Sequence, residues 1–142
     1  MTNNVRPYHD MIQRLRGVGL RPTTQRLAIA KIMFESKEQH YTAESLHQKA
    51  RDEGYCIAIA TVYNTLNQFT AAGLVRELVV ESGKSYFDTR LENHCHFYCE
   101  TTGQLIDIPQ CGSTMVTLPD VPEGRNVRCV DVIIRLSPDS IK

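Results

Sequence analysis

Ala60-Thr61-Val62-Tyr63-Asn64-Thr65-Leu66-Asn67-Gln68-Phe69 is the stretch whose reading decides the fold. Val62, Leu66 and Phe69 recur at helical spacing and make one apolar stripe. Thr61, Tyr63, Asn64 and Asn67 are left on the other face, towards the N-terminal end. These are the residue types that a helix needs to meet base edges in a major groove. Asparagine pairs bidentately with adenine, an aromatic ring packs on thymine methyls, and a helix N-terminus favours phosphate. The same residues would also serve as the solvated face of an ordinary packed helix, so the flanking chain has to decide.

Upstream, three further helices are expected. Met11, Leu15 and Val18 follow a helical period that ends near Gly17 to Gly19. Pro22 disfavours helix at Arg21, and Thr23 or Thr24 caps a second helix with its stripe on Leu27, Ala30 and Phe34. Thr42 caps a third, carried by Ala43, Leu46 and Ala50 and stopped around Gly54. Ile57 to Ala60 is a short apolar approach, after which Thr61 caps the decisive helix and Gly73 closes it. Downstream the period changes to that of strands. Leu74 to Val80 and Lys84 to Asp88 read as a hairpin turning at Glu81-Ser82-Gly83. Short helices followed by a hairpin are the order of a winged helix-turn-helix, with the last helix in the groove and the hairpin on the DNA backbone. Arg21, Arg26 and Lys84 are then candidates for backbone contacts, beside the reading residues Thr61, Tyr63, Asn64 and Asn67.

Arg90 to Asn93 is polar and hinge-like. A first domain of residues 1–89 and a second of 90–142 follow. The second alternates as strands over His96 to Glu100, Gln104 to Ile108 and Val127 to Leu136, with a turn at Thr101-Thr102-Gly103 and a short helix expected from Cys111 to Leu118. Val127, Val130, Val132, Ile133, Ile134 and Leu136 form the most apolar strand. So small a domain buries little core by itself, so this strand is expected to pair with a second copy in a homodimer, which would match a two-fold DNA site.

Formal net charge is zero, although a DNA-binding chain gains from being basic. The charge is uneven: Arg6, Arg14, Arg16, Arg21 and Arg26 face a single acid, Asp10, in the same stretch, and the acids gather later. No apolar run approaches the ~20 residues that span a bilayer, and Met1 to Pro7 has no apolar core, so a cytoplasmic protein without membrane contact is expected. The five cysteines are odd in number and lack any CxxC pair, which argues against a disulfide framework and a thiolate zinc site. No HExxH, Ser/His/Asp set or phosphate-cradling glycine loop suggests an enzyme. His94-Cys95-His96 is the chemical centre of the second half. Residues two apart on a strand share a face, so His94 and His96 can converge on one ion, with Asp88 and Asp107 as flanking carboxylates. Imidazole with carboxylate suits Fe(II), Mn(II) or Zn(II).

Gly19-Leu20-Arg21-Pro22-Thr23, Gln25-Arg26, Thr42-Ala43-Glu44, Ala60-Thr61-Val62-Tyr63, Gln68-Phe69, Gly73-Leu74 and Lys84-Ser85-Tyr86-Phe87-Asp88 stand in the order and spacing of the ferric uptake regulator family, which the chain resembles from Arg6 to Leu136. Asn64-Thr65-Leu66 after Tyr63, Phe97-Tyr98 after the histidines, and Ile106-Asp107-Ile108-Pro109 are similar to its iron response regulator (Irr) branch. The resemblance implies an α+β protein, an N-terminal winged helix-turn-helix followed by a small C-terminal α/β dimerisation domain. It implies a dimeric regulator of transcription in iron or haem homeostasis, acting on an AT-rich inverted repeat in double-stranded DNA. It makes Tyr63 the base-contacting residue and Arg21 a minor-groove or backbone contact.

The same resemblance places His40, Asp88, His94, His96 and Asp107 in the family's regulatory site, with one divalent metal (Mn, Fe or Zn) per subunit. His40, just ahead of the third helix, would need the hinge to fold back. No structural zinc is expected, because Thr102 stands where the CxxC partner of Cys99 would be, and no second metal, because no histidine follows His96. Irr proteins use three adjacent histidines with haem. Here Cys95 replaces the middle one, leaving His94, Cys95 and His96 as haem candidates with altered ligation. No Cys-Pro dipeptide supplies the N-terminal haem motif of some Irr proteins. Two effectors are therefore expected, haem in the Irr manner or a divalent metal acting as co-repressor.

Overall fold

The computed structural model describes residues 8–81, 83–92, 95–109 and 117–138. The chain divides into two compact units, Met1–Leu91 and Glu92–Lys142. Among the described residues no helix is long and apolar enough to cross a membrane.

The first unit runs α1 (His9–Gly17), α2 (Thr24–Glu35), β1 (His40–Tyr41), α3 (Ala43–Asp52), α4 (Ile59–Ala71), β2 (Arg76–Glu81) and β3 (Lys84–Asp88). Thr23 caps α2 by accepting the Arg26 N–H. Thr42 and Ser45 form a reciprocal capping box on α3, at 3.0 and 2.9 Å. α4 begins earlier than its polar residues suggest. Ala58 is its N-cap and has no side-chain oxygen to offer, while its carbonyl takes the Thr61 and Val62 N–H groups. Thr61 therefore lies inside the helix, and the apolar approach from Ile57 to Ala60 contains its first turn. Gly73, at φ +80°, ends α4, with the Leu74 N–H reaching the Phe69 carbonyl at 2.9 Å.

Leu15, Ile29, Met33, Leu46, Val62, Leu66 and Phe69 are buried in one core with Tyr41 and Phe87. The stripe expected on α2 is rotated. Ala30 is buried as expected, but Ile29, Ile32 and Met33 are the deep residues, and Leu27 and Phe34 only pack against their edge. α2 is apolar on nearly every side, so periodicity alone selects its inward face poorly.

β2 and β3 form the hairpin, with Leu78 opposite Tyr86 and a register shift between Val79 and Glu81. Gly83, at φ +75°, lies in its turn. The sheet has a third strand that the sequence pattern does not reveal, since two residues carry no period. β1 pairs antiparallel with β3, setting His40 opposite Asp88 and Tyr41 opposite Phe87.

The second unit has β4 (Cys95–Cys99), β5 (Leu105–Ile108) and β6 (Val132–Leu136), in the order β5-β4-β6. The hairpin at Thr101 to Gly103 forms as expected, with the Cys99 N–H on the Gln104 carbonyl at 2.9 Å. The last strand is shorter than its apolar run. Val127 is 48% exposed and precedes the strand in irregular backbone. β6 pairs in parallel with β4 of the same chain, Ile134 opposite Phe97, so its first partner is internal. The helix expected from Cys111 to Leu118 lies outside the described residues except for its last two positions.

Candidate functional site

α3 and α4 make the helix-turn-helix, and burial divides α4 as its sequence suggests. Val62, Leu66 and Phe69 have no exposed surface, while Tyr63 is 43% exposed and Asn64 and Asn67 are exposed with it. Thr61 is half-buried. The Tyr63 hydroxyl donates a hydrogen bond to Oε1 of Glu44, on the first turn of α3. Glu44 lies 19 positions away, and no local pattern signals its role.

The basic candidates are placed differently from one another. Arg21 is exposed ahead of α2. Arg26 is bonded within the protein surface: its Nε and Nη2 donate to Gln68 Oε1 at 3.1 and 3.0 Å, and its Nη1 donates to the Arg21 carbonyl at 2.9 Å. It thereby ties α2 to α4 and holds the segment that carries Arg21. Lys84 opens β3 beside the hairpin turn, its Nζ 5.6 Å from the centre of the Tyr86 ring.

Among the described residues each unit carries a histidine–carboxylate pair made by strand register. In the first, β1 and β3 set His40 opposite Asp88, with Nε2 and Oδ2 3.2 Å apart. β3 itself brings the Asp88 carboxylate to His40. In the second, β4 and β5 set His96 opposite Asp107, with Nε2 and Oδ1 3.1 Å apart. Asp88 and His96 are buried, at 1% and 3% exposure. Two donor atoms bound to one ion at about 2.1 Å lie about 3.0–3.4 Å from each other, so both pairs have the spacing of metal ligands. A nitrogen and oxygen donor set of this kind fits a divalent transition metal better than a thiophilic one. His94 lies outside the described residues.

The described cysteines behave in three ways. Cys56 and Cys129 are free and exposed. Cys95 is disulfide-bonded, which withholds from iron the thiolate that haem ligation would need. Cys99 is free at the end of β4. The Thr102 hydroxyl, followed by the Thr102 and Thr101 backbone N–H groups, hydrogen-bonds to its sulfur and holds the thiol below its ordinary range. A hydroxyl thus stands where a second zinc thiolate would have to be.

The profile of the Ferric uptake regulator family matches residues 17–136. The Ferric uptake regulation protein of Vibrio cholerae is 39% identical over 99 residues, which are 69% of this chain and 66% of that protein. The Peroxide-responsive repressor PerR of Staphylococcus saprophyticus is 39% identical over 98 residues, again 69% of this chain and 66% of that protein. The matches span just under two thirds of these curated relatives. The crystal structure of the ferric uptake regulator of Vibrio cholerae superposes with a TM-score of 0.72 at 31% identity, covering 91% of this chain and all of that one.

Proposed function

Because the chain belongs to the ferric uptake regulator family, we propose that it is a homodimeric, sequence-specific DNA-binding regulator of transcription in iron homeostasis, with one divalent metal per subunit as its effector. One observation carries the choice of effector: each unit places a histidine and a carboxylate at ligand spacing, His40 with Asp88 and His96 with Asp107. The two pairs, with His94, would be the ligands of that one ion. A bound ion would supply positive charge to these ligands. Its occupancy would then select among the arrangements of the two units and so set the spacing of the two reading helices in the dimer. Tyr63, Asn64, Asn67 and Thr61 meet base edges, Arg21 and Lys84 meet the backbone, and Arg26 holds Arg21 in place. The operator is an AT-rich inverted repeat.

The homodimer is supported by one face of the second sheet. Register sets Ile106, Phe97 and Ile134 in a row across β5, β4 and β6. Ile106 is 43% exposed and Leu136, two residues beyond Ile134 on the same face, 38%. Among the described residues β6 is also an edge strand. An open apolar face on a small sheet is what a second copy would cover.

A second reading, haem as effector in the manner of the Irr branch, is favoured by the His94-Cys95-His96 cluster together with Phe97-Tyr98 and Ile106-Asp107-Ile108-Pro109. With Cys95 in a disulfide, His94 and His96 would carry the iron. Fluorescence anisotropy of an AT-rich inverted-repeat duplex at fixed salt separates the two. Binding that needs Mn(II) and is lost on chelation supports the metal reading. Binding by the chelated protein that haem releases supports the haem reading. Affinity indifferent to both overturns the effector assignment.

A further inference from the structure

Tyr63 and Glu44 belong to neighbouring helices of the helix-turn-helix, and neither side chain is part of the buried core. Tyr63 stands on the outer face of α4 beside Asn64 and Asn67, and its hydroxyl proton is committed to Glu44. Glu44 is itself well held. It lies in the first turn of α3, where free backbone N–H groups favour negative charge. Its hydrogen bonds from Tyr63 and from its own backbone N–H keep it below the ordinary carboxylate range, and the same carboxylate keeps the Tyr63 phenol above the ordinary tyrosine range.

A free phenol both donates and accepts. One whose proton is committed to a carboxylate offers only its oxygen as an acceptor, and its ring is held in one place. In the major groove an A·T pair presents a thymine methyl and an adenine amino group, whereas a G·C pair lacks the methyl and presents guanine acceptors. We propose that Glu44 is the positioning residue that sets base preference at Tyr63: it holds the ring where a thymine methyl meets it, leaves the hydroxyl oxygen to accept from adenine, and bars donation to guanine. Its fixed negative charge also repels phosphate, so it lowers affinity for unrelated DNA. The assignment rests on α4 being the reading helix.

The test uses the full chain loaded with Mn(II) and a duplex that the wild-type chain selects from a randomised pool. The same duplex with single A·T to G·C changes, and a scrambled duplex, complete the set. Glu44→Ala is expected to reduce discrimination at one symmetric position by about 5-fold or more, the low end of what one base pair contributes, while binding the scrambled duplex more tightly. Glu44→Gln keeps the discrimination, because its amide oxygen still accepts the phenolic proton. In a Tyr63→Phe background Glu44→Ala has no further effect on discrimination. Unchanged discrimination in Glu44→Ala, with binding still lost in Tyr63→Ala, overturns the role of Glu44 alone. A Tyr63→Ala chain that binds the selected duplex like wild type overturns the reading role of α4.

Discussion

Arg26 has the charge and position of a phosphate contact, yet three of its donors are spent within the protein, on Gln68 and on the Arg21 carbonyl. A lysine keeps the charge but cannot reproduce that fork. Arg26→Lys is expected to cost about 0.5–1.5 kcal/mol in urea denaturation and to leave the salt slope of operator binding unchanged. A slope lower by about one would instead make Arg26 a phosphate contact. At Cys99 the hydrogen bonds from Thr102 and Thr101 stabilise the thiolate, so iodoacetamide alkylation should rise with pH through a midpoint below that of an ordinary thiol. Thr102→Val should move that midpoint up, and an unshifted profile in wild type would count against the hydrogen-bonded turn. These effects belong to single side chains.

At the scale of elements, stability and function separate along α4. Leu66 has no exposed surface, and Leu66→Ala should cost about 2–5 kcal/mol by leaving a cavity between packed helices. Asn67, its neighbour, is exposed, and Asn67→Ala should leave the denaturation midpoint nearly unchanged while weakening operator binding. Equal loss of stability in both would contradict this division of faces. Strand pairing acts differently. β1 is only two residues long, but its register against β3 sets His40 opposite Asp88, and the β4–β5 register does the same for His96 and Asp107. A slip of one residue in either ladder would turn the histidine to the other face and dissolve the pair.

For the whole molecule the decisive question is whether the two pairs serve one ion. Mn(II) binding only to the folded chain raises its thermal midpoint by mass action. His40→Ala, in the first unit, and Asp107→Ala, in the second, should each abolish that rise and the metal dependence of operator affinity. If only one of them does, the ion belongs to a single unit and cannot govern the spacing of the reading helices. Ile134→Lys places a charge in the apolar row of the second sheet and should convert a dimer to a monomer in light scattering after size exclusion. A persisting dimer would move the interface elsewhere.

The sequence alone determined the succession of four helices and the hairpin after them, the inward stripe of α4 and the outward set of Tyr63, Asn64 and Asn67. Those features are local, and periodicity, caps and turn glycines encode them within a few residues of where they act. The residue types for a nitrogen and oxygen metal site were legible for the same reason. The start of α4 was not, because an alanine N-cap carries no polar signal, and the inward face of α2 was not, because the helix is apolar nearly all round. Only tertiary structure decided what depends on distant chain: that β1 exists, that Arg26 is spent on Gln68, and that Glu44 holds Tyr63. Each joins residues far apart in sequence, and packing chooses such partners where no local period can.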